Sequence, residues 1–386
     1  IDSLSARELM ELFVKINQEN NTTIIMVSHD SFVASYSNKL YYIVDGKKTK
    51  FSIKDAIHNS NIEYIKSFSD PHIDIIYFHS LHPSNYSLLK NIDRNKKVIW
   101  WCWGADIYGH FRLLPPLINI QLYKPVTLKY FKKKHKSLYS FVKYPYWLLC
   151  YYYDKYHRRK VLERVDYFSP VLPIEYHLMK KNEGFRANPF MLKRGPGIPE
   201  EIEFNPRTIP QNILIGNSLT YTNNHLDIFK KIRSYKLSQQ KYVLPISYGA
   251  DYDKLEFKKI AHLPEESTIW IDNFMPKEQY KNLYSTISHA IFGHLRQQAM
   301  GNVFMCFSRG IKVFLYSDSI AYKSLKNDGY IIFSIDHDMS PIALQTVLSN
   351  EDALINYRLL EERNSDLIHR TERELRQIIE IEKLDS

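Results

Sequence analysis

The sequence is poor in glycine, with 12 in 386 residues, and has three cysteines, at positions 102, 150 and 306. Cysteines at this spacing form neither a disulfide framework nor a CxxC metal site, which predicts a protein of a reducing compartment. No apolar run approaches the roughly 20 residues that a membrane span requires, and we expect no signal peptide. The sequence therefore argues against the integral membrane, secreted and disulfide-rich classes. Because the chain opens with Ile1 rather than Met, we expect a natural start upstream of it.

Positive charge is concentrated in one segment. Residues 121–160 contain eleven Lys or Arg, one acidic residue and twelve aromatic residues, while the formal net charge of the whole chain is +10. This composition suits an anionic membrane surface, single-stranded nucleic acid, or a solvated helix with an aromatic inner face. The leucines and prolines of residues 113–120 favour a membrane, because nucleic acid gains nothing from them. We predict no nucleic-acid partner and the following membrane-facing residues: Lys132, Lys133, Lys134, Tyr146 and Trp147.

Helical and strand patterns alternate along the chain, which predicts parallel sheets covered by helices on both faces. The predicted strands are 23–27, 40–44, 73–78, 98–101, 167–172, 212–215, 242–246, 268–271, 290–292 and 313–316. The strand at 167–172 is expected to be the last of the first half. Five prolines and three glycines in residues 184–212 indicate an interdomain linker. Residues 351–382 are charged and read as helix.

A strand, a glycine-containing loop and a helix start follow one another at residues 213–225. Gly216 lets a ligand approach the backbone, and Thr222 is a plausible N-cap of a helix over 223–234. The free N–H groups of a helix N-terminus attract phosphate. Simple packing of the turn explains a single glycine equally well.

A second polar loop follows the predicted strand at 290–292. Arg296 can neutralise a diphosphate, and the amides of Gln297, Gln298 and Asn302 can hold hydroxyl groups. Gly301 allows close approach at the next helix start. The alternative is a capped helix with an exposed arginine.

In the first half, Asp106 ends a strand beside a glycine. It can act as a general base toward an acceptor hydroxyl or cap a helix, and the sequence favours neither. His79 ends the preceding strand and is a second candidate base. With His82 it suggests a metal, but no third ligand converges, so we predict no metal site.

Together these segments resemble the TDP-N-acetylfucosamine:lipid II N-acetylfucosaminyltransferases, bacterial enzymes that add a 4-acetamido-4,6-dideoxygalactose to a lipid-linked saccharide. The resemblance covers roughly residues 50–365 in order. It is carried by the segment around His79, residues 103–108, residues 215–218 with Asn223 and His225, Pro245 with Tyr248, and residues 296–298 with Gly301.

The resemblance implies a GT-B fold, with two Rossmann-like domains facing across a cleft and a C-terminal helix packing back on the first. It implies a peripheral enzyme at the cytoplasmic face of the membrane that uses no metal or cofactor. A TDP- or UDP-linked sugar would bind to Gly216, Asn217, Ser218, Asn223, His225, Tyr248, Gln297, Gln298, Gly301 and Asn302. Asp106 or His79 would deprotonate a lipid-linked saccharide acceptor, and Arg296 would stabilise the leaving diphosphate.

The first fifty residues differ from that family. Residues 1–6, 27–36 and 43–47 resemble the tail of an ABC transporter ATPase, including its γ-phosphate-sensing histidine, here His29. The phosphate-binding GxxxxGK[ST] loop is absent from the sequence, so ATP hydrolysis is not expected. A fusion or gene-model artefact would explain this segment, and the transferase would then have lost its opening strand and helix.

The expected organisation is an ABC-like fragment (1–50), an acceptor- and membrane-facing domain (51–200), a nucleotide-sugar domain (201–350) and a helical segment (351–386). Two other functions stay open at this point. One is an ABC-type ATP-binding fragment, motivated by residues 1–50. The other is a non-catalytic membrane-surface protein, motivated by residues 121–160.

Overall fold

The computed structural model describes the larger part of the chain, which forms two compact α/β units. Unit 1 comprises residues 1–118, 145–194 and 366–386, and unit 2 comprises residues 119–144 and 195–365. The described residues are 11, 13–15, 18–19, 24–27, 75–78, 81, 86–108, 116–134, 149, 152, 156–190, 204, 206–235, 240–249, 251–363, 373 and 376. Within those ranges, no helix has both the length and the apolar character that crossing a membrane requires.

Five parallel strands form the sheet in the described part of unit 1, in the order β1-β2-β3-β4-β5. The strands are β1 (Ile24–Val27), β2 (Ile75–Phe78), β3 (Lys97–Trp101), β4 (Tyr167–Ser169) and β5 (Asn188–Pro189). The helices are α1 (Tyr86–Lys90), α2 (Ala105–Tyr108), α4 (156–162) and α5 (Pro173–Met179), numbered in chain order. Strands β2, β3 and β4 are buried nearly throughout, as continuous apolar strands of a parallel sheet should be.

The prediction that residues 167–172 form the last strand of the first half is wrong. β4 ends at Ser169, and β5 adds a further parallel strand inside the predicted linker. Pro189 has no N–H to donate, which an edge strand tolerates. The proline that suggested a linker therefore marks the edge of the sheet.

The segment that resembles an ABC ATPase tail contributes to this sheet. β1 pairs in parallel with β2, with Ile24 opposite Ile75 and Val27 opposite Phe78. The Phe13 side chain is buried, and its ring lies 5.4 Å from that of Tyr77, edge to face. A helical stretch and a strand from residues 11–27 therefore cover β2. The predicted strand at 40–44 lies outside the described residues.

Among the residues described for unit 2, six parallel strands form a sheet in the order β11-β10-β9-β6-β7-β8. The strands are β6 (Asn212–Ile215), β7 (Tyr242–Pro245), β8 (Thr268–Ile271), β9 (Ile287–Phe292), β10 (Lys312–Leu315) and β11 (Phe333–Ser334). The helices are α3 (Pro125–Lys134), α6 (His225–Ile232), α7 (Lys254–Ala261), α8 (Lys277–Ser285), α9 (Met300–Ser308), α10 (Ile320–Asn327), α11 (Pro341–Gln345) and α12 (350–363). This is the strand order of a Rossmann fold, and the order reverses between β6 and β9.

Helix α3 belongs to unit 2, although the sequence analysis placed all of residues 51–200 in the first domain. The side chains of Tyr123, Tyr130 and Phe131 pack against the hydrophobic core of unit 2. The ring of Tyr130 stacks on Tyr252 at 5.5 Å, and Phe131 meets Tyr221 edge to face at 5.5 Å. α3 belongs to unit 2 because its aromatic side chains pack against the hydrophobic core of that unit. The distribution of charge along the sequence gives no information about this packing.

The C-terminal segment returns to unit 1. Residues 366–386 group with that unit, and both described residues of the segment, at 373 and 376, are helical. Nη2 of Arg376 lies 2.7 Å from Oε2 of Glu19. The expectation that the C-terminal helical segment packs on the first domain is confirmed for residues 366–386, whereas α12, at the start of the predicted segment, belongs to unit 2.

Candidate functional site

The candidate site lies at the carboxyl edge of the unit 2 sheet. β6 and β9 are neighbouring strands on either side of the point where the strand order reverses. Ligands of open α/β sheets bind at such a point, in the crevice beyond the strand ends. We call residues 216–223, after β6, the first loop, and residues 293–298, after β9, the second loop.

Gly216 opens the first loop in a conformation with φ of +68°. Its N–H donates to the carbonyl oxygen of Ile291 at 2.8 Å, so the loop stays joined to β9 as it leaves the sheet. A Cβ atom at this position would lie 2.4 Å from Nε2 of His225. The absence of a side chain at residue 216 is therefore what lets the imidazole lie against the loop.

His225 is fully buried and electrically neutral at neutral pH. Burial lowers its pKa to about 3, opposed only by the backbone of Ile215. The ring stacks on Phe229 at 5.9 Å and meets Phe257 at 5.1 Å. Neither ring nitrogen makes a hydrogen bond of ordinary geometry among the residues described, and the interaction with the Ile215 backbone offsets only a small part of the effect of burial. His225 therefore supplies no positive charge at neutral pH.

The predicted start of the next helix, at residue 223, is wrong. Thr222 is not an N-cap: it lies in a 3-10 turn, Tyr221–Asn223, and α6 starts at His225. Asn224 occupies the cap position in a left-handed conformation with φ of 50°. The Thr222 hydroxyl is therefore available to the second loop.

A network of polar side chains within the first loop is joined to the second loop through Gln298. The side chains of the network are Asn217, Ser218, Thr220, Thr222, Asn223 and Gln298. The Thr222 hydroxyl donates to Oε1 of Gln298 at 2.7 Å, and Nε2 of Gln298 donates to Oδ1 of Asn217 at 3.2 Å. Nδ2 of Asn223 donates to the Ser218 carbonyl oxygen at 2.8 Å, while its own Oδ1 is buried without a partner in the described part of the chain.

The second loop is pressed against the first. A Cβ atom on Gly293 would lie 2.1 Å from the carbonyl oxygen of Asn223, so only glycine fits there. His294 is fully buried, and burial together with the nearby Arg296 charge lowers its pKa to about 3. The Arg296 side chain is half-buried, and Oε1 of Gln297 is buried with no partner in the described ranges. The second loop therefore contains the guanidinium of Arg296 together with buried polar atoms of His294 and Gln297 that have no partner in the described ranges.

The remaining predicted donor residues lie beside these loops. Gly301 and Asn302 are in the first turn of α9, and Nδ2 of Asn302 donates to the Tyr280 hydroxyl at 3.0 Å. Tyr248 follows β7, where its carbonyl oxygen accepts from the Leu219 N–H at 2.6 Å. Its side chain is 76% exposed and takes no part in the network.

Asp106 of unit 1 holds the ends of two strands together. Oδ2 accepts from the Leu81 N–H at 3.1 Å and from Nε1 of Trp100 at 2.9 Å. Oδ1 accepts from the Trp103 N–H at 3.0 Å. These three bonds give Asp106 a structural role, but not the helix cap that the sequence offered as an alternative, because the residue lies inside the first turn of α2. Its role as a base stays a prediction. His79 lies outside the described residues.

The predicted membrane-facing residues are only partly described. Lys132, Lys133 and Lys134 are exposed in the last turn of α3, and Nζ of Lys134 pairs with Oε2 of Glu256 at 2.7 Å. Tyr146 and Trp147 lie outside the described residues. The aromatic side chains described on and beside α3 pack inward, so the exposed face of this helix offers cations rather than rings.

Sequence reasoning missed Asn224 and Asp227. Oδ1 of Asn224 accepts from the Lys124 N–H at 2.8 Å, and its Nδ2 donates to the Gly293 carbonyl oxygen at 2.7 Å. The two carboxylate oxygens of Asp227 accept from the N–H groups of Val126 and Thr127, each at 2.9 Å. The pair of asparagines before the helix was the available signal, because asparagine tolerates left-handed backbone.

No family model matches the sequence. Among curated proteins, an uncharacterized ABC transporter ATP-binding protein of Bacillus subtilis is 36% identical over 47 residues, which is 12% of this chain and 18% of that protein. The lipoprotein-releasing system ATP-binding protein LolD of Leptospira interrogans is 33% identical over 60 residues, 16% of this chain and 25% of that protein. The chain therefore spans about a fifth to a quarter of the length of these relatives.

Solved structures resemble a much larger part of the chain. A glycosyltransferase from Rickettsia africae is 13% identical with a TM-score of 0.50, over 100% of this chain and 95% of that one. The GtfA/B complex is 9% identical with a TM-score of 0.49, over 80% of this chain and 57% of that one. At such low identity the first likeness bears on the fold alone. Together with the two parallel sheets, it shows that this chain has the GT-B fold of two Rossmann-like units.

Proposed function

We propose that this protein is a glycosyltransferase whose nucleotide-sugar donor binds between the two loops at the carboxyl edge of the unit 2 sheet. One observation carries the proposal. Three buried side chains at the reversal point of the sheet, Asn223, His225 and Gln297, have polar atoms with no partner in the described part of the chain. Buried polar atoms are normally satisfied, so a ligand that completes them explains their arrangement.

The charges of the site suit a diphosphate leaving group. His225 and His294 are neutral at neutral pH because burial lowers the pKa of each to about 3. Positive charge in the second loop therefore comes from Arg296, assisted by the N–H groups at the start of α9. The amides of Gln297, Gln298 and Asn302 would hold the sugar or the base.

The resemblance to the N-acetylfucosaminyltransferases suggests the substrates. We expect a TDP- or UDP-linked deoxy-amino sugar as donor and a lipid-linked saccharide as acceptor, in the synthesis of a surface polysaccharide or glycolipid. The exposed lysines of α3 support peripheral attachment to an anionic membrane, at its cytoplasmic face.

The acceptor's base stays a prediction. Asp106 and His79 are the candidates, and the three hydrogen bonds to the Asp106 carboxylate count against it. A base needs a free lone pair in reach of the acceptor hydroxyl.

A nucleotide panel tests the proposal. Thermal stability of the purified chain is measured with TDP, UDP, GDP, ADP and ATP, and selective stabilisation by TDP or UDP is expected. Arg296→Ala should remove most of that stabilisation and lower turnover far more than acceptor binding, whereas Arg358→Ala, an exposed arginine of α12, should change neither. Stabilisation by none of the diphosphates, or by ATP alone, would contradict the proposal.

A further inference from the structure

We infer that Asn224 is a positioning residue that holds the two loops at their working separation and fastens residues 119–134 to them. This inference rests on the proposed function, because it concerns the same loops. Asn224 is fully buried, and its left-handed backbone, with φ of 50°, brings its side chain back between three segments. We call this side chain and its hydrogen bonds the Asn224 clasp.

The clasp joins the two loops directly. Nδ2 donates to the Gly293 carbonyl oxygen at 2.7 Å in the second loop and to the Thr222 carbonyl oxygen at 3.3 Å in the first. Gly293 already touches the backbone of Asn223, since a Cβ there would lie 2.1 Å from the Asn223 oxygen. The separation of the loops is therefore set by a hydrogen bond on one side and by backbone contact on the other.

The same side chain holds the segment that precedes α3. Nδ2 also lies 3.2 Å from the Leu122 carbonyl oxygen, and Oδ1 accepts from the Lys124 N–H at 2.8 Å. One turn further along α6, Asp227 accepts from the first N–H groups of α3. A carboxylate at a helix N-terminus satisfies its free donors and opposes its dipole.

Lys124 adds an ionic contact to this attachment. Its ammonium lies 3.0 Å from Oδ1 of Asp318 and 4.3 Å from the centre of the Tyr316 ring. Residues 122–134 are thus fixed at several points to the unit that carries the loops. A ligand that alters the spacing of the two loops must also change the hydrogen bonds of the Asn224 clasp. The same side chain bonds the segment that precedes α3, so the change would reach the helix with the exposed lysines.

Hydrogen exchange tests the attachment without any ligand. In Asn224→Gly, which keeps the left-handed backbone, the Lys124 amide should exchange about tenfold faster than in the wild type. Asp227→Asn should accelerate the Val126 and Thr127 amides and leave Lys124 slow. His262→Gly replaces another left-handed residue, at the end of α7, and should leave all three amides unchanged.

Nucleotide binding tests the positioning role. Asn224→Asp keeps an acceptor for the Lys124 N–H but sets an oxygen against the Gly293 carbonyl. We expect near-normal exchange at Lys124 with about five- to tenfold weaker binding of TDP and UDP, measured by calorimetry. A purely structural role would move both readouts together.

Two results would overturn the inference. One is wild-type affinity for TDP and UDP in both Asn224 variants, and the other is unchanged Lys124 exchange in Asn224→Gly. A wild-type chain that binds neither nucleotide would refute the proposed function and the positioning role together. Faster exchange at Lys124 would then support the attachment alone.

Discussion

A Cβ atom on Gly216 would lie 2.4 Å from Nε2 of His225, so the first loop and the start of α6 fit together only around a glycine. The residue also has φ of +68°, which other residues adopt with strain. We expect Gly216→Ala to lower the free energy of unfolding by about 2–4 kcal/mol, measured by urea denaturation.

Gly329 provides the matched control for that substitution. Its φ is +88°, but a Cβ there would meet nothing closer than 3.6 Å. Gly329→Ala should lower the free energy of unfolding by only about 1 kcal/mol, from backbone strain without collision. Equal losses in the two variants would mean that the His225 contact contributes nothing.

Buried neutral histidines should make the protein sensitive to acid. Burial lowers the pKa of His225 and His294 to about 3 and that of His289 to about 4. The unfolded chain protonates these rings near pH 6.5 and the folded chain does not. Their contribution is therefore complete above pH 6.5 and is lost as the pH falls toward 3, by up to about 1.4 kcal/mol per pH unit for each ring.

Urea denaturation at pH 7.5, 6.0 and 5.0 measures this slope. His289→Gln should reduce this slope by about one ring's share. An equal free energy of unfolding at pH 7.5 and 5.0 would be incompatible with neutral buried rings.

Asp106→Asn separates the two readings of that carboxylate. The amide sets an N–H group against at least one existing donor, so we expect a loss of about 1–3 kcal/mol in the free energy of unfolding. The exposed Asp93→Asn should be neutral. Unchanged stability with turnover reduced about 100-fold or more would instead identify Asp106 as the base.

The exposed end of α3 should contribute to membrane binding through charge. Replacing Lys132 and Lys133 together by Ala should weaken binding to anionic vesicles by about 2 kcal/mol, or roughly 30-fold, in flotation assays at low salt. Replacing Lys230 and Lys241, two exposed lysines elsewhere in unit 2, should have little effect. Equal loss from both pairs would indicate general attraction to a basic protein.

Much of the fold could be predicted from local sequence. The predicted strands at 212–215 and 268–271 match β6 and β8 residue for residue. β6 is buried from Ile213 to Ile215, as a central strand of a parallel sheet should be, whereas β8 at the edge of the sheet is partly exposed. Two strands of only two residues, β5 and β11, were missed because so short an element carries no periodicity. The assignment of α3 to unit 2 was not predicted, because it depends on packing between residues that are far apart in the sequence.

The positions of the two loops could be predicted from the strands that they follow, but the start of the helix after the first loop could not. The ligand-binding roles of the loop residues stay predictions. Gly216 and Gln298 were selected from their places after strands, and the structure brings their loops together. The cap at Thr222 was wrong, because a 3-10 turn and a left-handed asparagine intervene before the helix. The roles of Asn224 and Asp227 depend on a segment about 100 residues earlier, which no local pattern reveals.

The pairing of β1 with β2 places a segment that resembles an ABC ATPase tail in the sheet of unit 1. Two parallel strands are joined by hydrogen bonds between main-chain N–H and C=O groups. These bonds do not depend on which protein family the sequence of a strand resembles. A likeness of 47 residues to an ABC transporter ATP-binding protein is therefore compatible with a strand of the opening segment that pairs with β2 in a GT-B fold. A local likeness of this length does not determine the fold or the activity of the whole chain.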